Sequence, residues 1–411
     1  MNIWYLHPYA GGPGVGRYWR PYSFAKAWQE DGHKVRVFTA RYHHLLEPDV
    51  PRGGRAEISA VSYDFVPTLR YRGNGGARVL SMLLFAIMLV PCGIAGLFRH
   101  GRPDLIIYSS PHPYGYISAW LLARLFRASV YLEVRDIWPL SLVELGGMSP
   151  SHPMVWLTGL LERFAYRTAD HVISLIPAAD QHMRSKGLAP ERFSWVPNGA
   201  DELPVMADEQ SSALLVRLRE LRQEGKFIVI YTGAHGAPNA LHLLLDAASH
   251  LQKENRARVH FVLVGRGEQK ADLQARSAKL GLRNLEFFDQ VEKRVAVAAM
   301  GLADAGALCL KPEPIFRFGV SPNKLWDYML AALPVVFVCR AANNPVLDYG
   351  CGVAADPADP VSIAEAILTL SRLPAVDIQE MGARGRQAVL DSYLYTALAA
   401  KVTAIYRTAR A

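Results

Sequence analysis

The sequence predicts an α/β protein of two doubly wound domains, each a parallel sheet wrapped by helices. Three observations carry that prediction. Short apolar runs of strand length alternate with helical lengths, the pattern of βαβ units. Two such series occur, one opening at Ile3 and the other near Phe227. Several runs end in glycine-rich turns ahead of a helical stretch, where open α/β sheets present their ligand-binding ends. The 411 residues suffice for two or three domains with sizeable cores. A composition 51% hydrophobic and 20% charged excludes a disordered chain.

In the first series the strands read Ile3–Leu6, Val35–Thr39, Leu105–Ser109 and Val130–Val134, with a helix over about Tyr22–Asp31. In the second they read Phe227–Tyr231, His260–Val264, Leu285–Phe287, Ala307–Leu310 and Val335–Val338. The series join near Asn198–Asp208, which divides the chain into domains 1–203 and 204–389. The helical stretch Leu390–Ala409 is expected to cross back to the first domain as a terminal segment 390–411.

Val79–Phe98 holds 20 residues without a charge between Arg78 and Arg99. As a helix it would be about 30 Å long, enough to cross a bilayer. A crossing would put Ile3–Leu6 and Leu105–Ser109 on opposite sides, and Pro91, Gly93 and Gly96 weaken an uninterrupted span. A span, a buried domain helix and a membrane-seated or re-entrant segment all stay open. Arg70, Arg72, Arg78, Arg99 and Arg102 favour contact with anionic lipid.

Forty-five Lys and Arg against 37 Asp and Glu give a formal charge of +8, which suits an anionic partner. The basic residues are dispersed, with no basic-aromatic module of a recognised nucleic-acid type. Four cysteines, Cys92, Cys309, Cys339 and Cys351, form no C-x-x-C pair, so neither a disulfide scaffold nor structural zinc is expected. The N-terminal Met-Asn-Ile-Trp-Tyr-Leu-His-Pro reads as a first strand, not a signal peptide, and the expected setting is cytoplasmic.

Candidate site residues cluster at strand ends. Gly11 to Gly16 follows the first strand and precedes a helix, so Gly12 and Gly14 are candidates for a phosphate or sugar cradle; the spacing does not fit a dinucleotide fingerprint. Tyr231-Thr232-Gly233-Ala234-His235-Gly236 opens the second domain in the same style, with Gly233, Gly236, His235 and Asn239 as ligand contacts. Leu263-Val264-Gly265-Arg266 is a further strand end, and Arg266 a phosphate contact. Phe318-Gly319-Val320 leads to a helix near Ser321-Pro322, with Ser321 capping it. Lys324 in that first turn opposes the helix dipole, a conflict that a phosphate would relieve. Asp327, about one turn on, could grip ribose hydroxyls, with Arg317 and Asn323 nearby. In the first domain, His112 and the run Glu133-Val134-Arg135-Asp136 follow strands, and a strand-end histidine and carboxylate are acid/base candidates.

These stretches, taken with His7-Pro8-Tyr9-Ala10-Gly11-Gly12-Pro13, Arg20-Pro21-Tyr22 and Ile137-Trp138-Pro139, carry a resemblance. The chain resembles a retaining glycosyltransferase of family 4 with the GT-B fold, over nearly its whole length. Within that family it is similar to bacterial N-acetylfucosaminyltransferase-like enzymes of surface-polysaccharide assembly, such as O-antigen. The resemblance implies two Rossmann-like domains facing a cleft. It implies a UDP-linked sugar donor in the second domain and a lipid-linked saccharide acceptor in the first, at the inner-membrane surface. It implies Asp327 on the ribose, and Lys324 and Arg317 on the diphosphate. The family's glutamate eight residues before the ribose carboxylate is replaced by Gly319, with Glu313 as a substitute by way of a longer loop. The family's early Arg and Lys pair is replaced by the Gly233–Asn239 loop. His112, Arg135, Asp136 and Lys324 are the catalytic candidates. Retention is expected by a front-face route without enzymic nucleophile or cofactor, and the chain has no DxD-type signature for a metal. Two other readings remain: a GT-B UDP-sugar 2-epimerase, and a non-catalytic nucleotide-sugar-binding scaffold.

Overall fold

The structure, a computed structural model, describes residues 1–46, 53–73, 75–202, 212–254 and 258–410. They form two compact units. Unit 1 comprises Met1–Asn198, Phe318–Val320 and Tyr395–Ala411; unit 2 comprises Gly199–Arg317 and Ser321–Leu394. The sequence-derived boundary at 203/204 lies outside the described residues.

Unit 1 holds strands β1 (Asn2–Leu6), β2 (Lys34–Ala40), β3 (Arg55–Ile58), β4 (Val61–Val66), β5 (Leu105–Ser110), β6 (Ser129–Val134), β7 (His171–Ser174) and β8 (Phe193–Trp195). Its helices are α1 (Arg20–Glu30), α2 (Gly76–His100), α3 (Tyr116–Phe126), α4 (Leu140–Glu144), α5 (Pro153–Thr168) and α6 (Asp180–Ser185). The strand order is β3-β4-β2-β1-β5-β6-β7-β8, parallel except that β3 runs antiparallel to β4. Every residue of β5 is buried, as parallel strands covered on both faces require. One face of the sheet packs Tyr5, Phe24 and Trp28. The other packs Trp4, Phe38, Phe85 and Leu122.

Unit 2 holds β9 (Phe227–Thr232), β10 (Val259–Val264), β11 (Leu285–Phe288), β12 (Ala305–Cys309), β13 (Val335–Val338) and β14 (Gly352–Ala355). Its helices are α7 (Ala213–Gln223), α8 (His242–Lys253), α9 (Lys270–Leu280), α10 (Lys293–Met300), α11 (Asn323–Leu330), α12 (Pro345–Asp348), α13 (Pro360–Arg372) and α14 (Ala375–Ser392). The strand order is β11-β10-β9-β12-β13-β14, all parallel. Leu244 and Leu245 of α8 join Ile363 and Ile367 of α13 on one face of this sheet. The last helix, α15 (Tyr395–Thr408), returns to unit 1, where Trp28 Nε1 donates to Ala399 O (3.0 Å) and Phe24 meets Tyr395.

The apolar segment 79–98 lies inside α2, which runs unbroken through Pro91. It is a crossover helix and not a span: β1 before it and β5 after it are paired neighbours, Ile3 opposite Leu105. One stripe of it, Ser81, Phe85, Leu89, Gly93 and Gly96, is buried in the unit. Gly93 is needed there because a Cβ would enter the Leu122 side chain. The β3–β4 hairpin is an addition to the purely parallel expectation. Ser321 is not the N-cap of α11: the helix starts at Asn323, and Pro322 is its N-cap.

Candidate active site

Both sheets reverse their strand order once, between β1 and β5 in unit 1 and between β9 and β12 in unit 2. Ligands of open α/β sheets sit outside the carboxyl ends of the strands at such reversals.

In unit 2, β9 runs out through Tyr231 and Thr232 into the Gly233 turn, and the first turn of α11 brings Lys324 to it. Lys324 Nζ donates to Asn239 Oδ1 (2.7 Å) and Tyr231 Oη (2.9 Å), and lies 4.2 Å from the centre of the Tyr231 ring. The cluster closes on one carbonyl, since Tyr231 Oη (2.8 Å) and Asn239 Nδ2 (3.0 Å) both donate to Ala234 O. These partners supply oxygen dipoles and no carboxylate. The residue is half-buried, and desolvation of its ammonium pushes the pKa down to about 7.

The turns after β9 and β10 are locked together. Gly233 N–H donates to Val264 O (3.0 Å) and His235 N–H to Arg266 O (2.9 Å). Gly265 has φ 152°, and a Cβ there would collide with the Gly233 carbonyl, so glycine is obligatory. The His235 ring is fully buried between Tyr231 and Phe287, with no hydrogen-bond partner on either nitrogen among the described residues. Burial, then Lys270 and Lys324, push its pKa down to about 4, so the ring is neutral. Asp327 lies one turn beyond Lys324 with Oδ1 3.7 Å from Lys293 Nζ. Burial raises its pKa against the pull of Lys293.

The structure thus gathers Gly233, His235, Gly236, Asn239 and Lys324 around one point, Gly236 O accepting from Asn239 N–H (3.0 Å). Arg266 is exposed on the β10 turn, and Asn323 is exposed at the first position of α11. Arg317 is exposed and donates back to Pro314 O (2.7 Å), and Ser321 is half-buried. Glu313 is engaged by Lys311 at 2.8 Å.

In unit 1 the reversal is lined by rings. His7 follows β1; its Nδ1 lies 3.0 Å from the Tyr9 amide and its Nε2 3.2 Å from Arg135 Nη1. Tyr18 stacks on His7 at 4.7 Å and receives the Arg135 guanidinium 3.8 Å above its ring. His112 follows β5, fully buried against Tyr9, Tyr114 and Trp138, with no side-chain hydrogen-bond partner on either nitrogen among the described residues. Burial and then Arg78 push its pKa down to about 3. Burial thus favours the neutral ring, which can give or take a hydrogen bond. Arg135 turns to Tyr18 and His7, and the neighbouring Asp136 is exposed.

Two expectations need correction. Glu133 belongs to β6 itself and is buried. Arg20 Nη2 (2.8 Å), Tyr5 Oη (2.8 Å) and Ser109 Oγ all donate to it. Burial would raise its pKa, but Arg20 and these donors hold it below the ordinary value; it is a structural carboxylate. In the Gly11–Gly16 loop the phosphate contact expected of Gly12 meets an amide that is already bonded. The loop closes on itself, with Gly12 N–H on Gly16 O (3.3 Å) and Val15 and Gly16 N–H on Gly12 O, and Gly14 sits exposed at its tip. The Gly12 amide is committed to Gly16 O, and α1 begins only at Arg20. Tyr231, at the end of β9, and Tyr18, just ahead of α1, were not among the residues the sequence singled out as site candidates.

Comparison with known proteins agrees with this architecture. Residues 14–199 match the Glycosyl transferase 4-like domain, and residues 226–372 match Glycosyl transferases group 1. WcaI of Escherichia coli (strain K12), named for a colanic acid biosynthesis glycosyl transferase, is 28% identical over 247 residues, 59% of each protein. The match therefore spans about three fifths of that relative's length. WbjE of Pseudomonas aeruginosa, named as a glycosyltransferase, is 24% identical over 331 residues, 79% of this chain and 78% of WbjE. Among solved structures, sucrose-phosphate synthase from Thermosynechococcus elongatus superposes with a TM-score of 0.74 at 17% identity, covering 99% of both chains. Anabaena HepE in complex with UDP gives 0.68 at 16% identity, covering 99% of this chain and 100% of HepE. Fold and domain content together define a protein of the GT-B class. The chain belongs to the glycosyltransferases built from a 4-like domain followed by a group 1 domain.

Proposed function

We propose that this chain transfers a sugar, with retained anomeric configuration, from a UDP-linked donor to a lipid-linked saccharide acceptor in bacterial surface-polysaccharide synthesis. The observation that carries the reading is the Lys324–Asn239–Tyr231 cluster at the strand reversal of unit 2. It is a cation ringed by neutral oxygens, waiting for an anion. A diphosphate leaving group gathers charge as the glycosidic bond breaks, and a preorganised cation meets it. Asp327, one turn along α11, would take the ribose hydroxyls. UDP as the nucleotide is supported by HepE, which was solved with UDP. The polysaccharide assignment is supported by the name of WcaI.

Retention without an enzymic nucleophile follows the front-face route, in which the leaving phosphate takes the acceptor proton. The neutral rings of His112 and His7 suit orientation of acceptor hydroxyls rather than proton abstraction. The reaction is taken as metal-independent because Lys324 supplies the charge that a DxD-held metal would. The acceptor is read as lipid-linked, at the cytoplasmic face of the inner membrane, because α2 carries an uncovered apolar side.

The test is incubation of the purified protein with a panel of nucleotide sugars and a polyprenyl-diphosphate-linked saccharide, read by mass spectrometry and NMR of the new linkage. The expected product is the acceptor plus one sugar, formed from a UDP donor with the donor's anomeric configuration. An epimer formed without acceptor would make the chain a UDP-sugar 2-epimerase. Donor binding without turnover would make it a scaffold, and an inverted linkage would overturn retention.

A further inference from the structure

The uncovered side of α2 is part of a larger surface. Leu80, Leu83, Ile87, Ile94 and Phe98 recur at helical spacing along it, opposite the stripe buried in the unit, and Phe98 is 84% exposed. The surface continues across α3, where Ile117, Leu121 and Leu125 recur every four residues and Leu125 is 63% exposed. It continues across α5 with Trp156, Leu157 and Leu160, Trp156 being 66% exposed. The three helices touch in that order. Ser118 Oγ of α3 donates to Ala86 O of α2 (2.6 Å), and Trp120 of α3 meets Phe164 of α5 edge-on at 5.3 Å. Scattered exposed leucines need no explanation, but a contiguous set over three adjacent helices marks an interaction surface.

The charges on these helices choose the occupant. Neither α2 nor α3 contains an Asp or Glu. The only acid of α5, Glu162, is buried and turned to His182 at 2.8 Å. The basic residues Arg99, Arg124, Arg163 and Arg167 are exposed beside the apolar stripes. A second copy docked by a two-fold axis would set this wholly basic rim against itself. An anionic lipid surface would complement it, with the apolar side chains below the headgroups and the guanidinium groups among them.

We propose that α2, α3 and α5 together form a monotopic docking face for an anionic bilayer, with α2 lying in the interface plane. The proposal deepens the lipid-linked acceptor reading and goes beyond it, since docking requires neither donor nor acceptor. It also differs from a docking role for α2 alone: α3 and α5 must contribute.

The experiment is co-sedimentation of the full chain with vesicles of phosphatidylglycerol and phosphatidylethanolamine, and with vesicles of phosphatidylcholine alone. The variants are Ile87→Glu, Leu121→Glu and Trp156→Glu, one on each helix, each checked for an unchanged melting temperature. The wild type should sediment with the anionic vesicles at least tenfold more strongly than with phosphatidylcholine. Each variant should lower that binding about tenfold while donor hydrolysis in detergent-free buffer stays within twofold. A wild type that ignores anionic vesicles overturns the proposal, as do Leu121 and Trp156 variants that bind like the wild type. A soluble dimer that these variants dissociate, without vesicle binding, assigns the face to a second copy and equally overturns it. Vesicle binding by a protein that transfers no sugar would sustain the docking face and sink the transferase reading.

Discussion

At the strand reversal of unit 1 the side chains are rings, His7, Tyr9, Tyr18 and His112, and the Arg135 guanidinium lies over one of them. At the corresponding reversal of unit 2 there are rings too, Tyr231 and the buried His235, but they flank glycine turns and one lysine held by neutral oxygens. Topology puts a crevice in the same place twice; side-chain chemistry decides what it can hold. Burial makes the unit 1 histidines neutral donors and acceptors, suited to hydroxyl groups. In unit 2 it leaves an incompletely compensated cation, suited to a phosphate. The charged pair of unit 1, Arg20 with Glu133, is sealed inside the sheet and does architectural work instead.

That difference can be broken at its strongest point first. Glu133→Ala strands Arg20 in the core and should destabilise unit 1 by about 3–5 kcal/mol, the usual result of orphaning a buried charge. The check is the urea midpoint of the first unfolding transition; a loss below about 1 kcal/mol would mean the pair is not architectural. Lys324→Met comes next. It should lower kcat/KM about 10²–10³-fold, as loss of one transition-state donor does. Stability at pH 7 should not fall. Because the folded pKa of Lys324 lies below its unfolded value, the unfolded chain binds more protons between about pH 7 and 10.5, so the lysine opposes folding as pH drops through that window. A thermal melt of the variant that falls well below wild type would contradict the account.

The unit 1 rings promise smaller effects. His112→Ala should lower kcat/KM about tenfold, the worth of one hydrogen bond. His112→Gln should recover most of that, because an amide can orient a hydroxyl as a neutral imidazole does. With its pKa at about 3, His112 should add no limb to the pH–rate profile between pH 5 and 8. A limb near pH 6.5 that vanishes in His112→Gln would restore the acid/base role.

How far the sequence revealed this contrast depends on what each feature leaves on the chain. β5 and β9 are buried on both faces and so read as continuous apolar runs. The β3 edge strand, Arg-Ala-Glu-Ile, has one buried residue and no such run, and the hairpin it forms with β4 escaped notice. Lys324 was legible because a cation in a first helical turn conflicts with the dipole. Tyr231 was not, because a tyrosine ending an apolar strand looks like core until its hydroxyl is seen between Lys324 and Ala234. Glu133 misled for the opposite reason. A carboxylate near a strand end resembles a catalytic group, and only the three-dimensional approach of Arg20, more than a hundred residues away in sequence, shows it to be neutralised. The composition of the Gly11–Gly16 loop likewise says nothing of the Gly12 amide being bonded to the Gly16 carbonyl.

The central claim is that Lys324 is the anion receptor of unit 2, and calorimetric titration of UDP at pH 8 tests it most directly. Two buffers of different ionisation enthalpy measure the proton count. With its pKa at about 7, Lys324 is mostly neutral at pH 8, and a bound diphosphate would recharge it. The wild type should take up a substantial fraction of a proton per UDP bound. Lys324→Met should take up none and bind at least tenfold more weakly. Equal affinity and equal proton uptake in the two proteins would contradict the account.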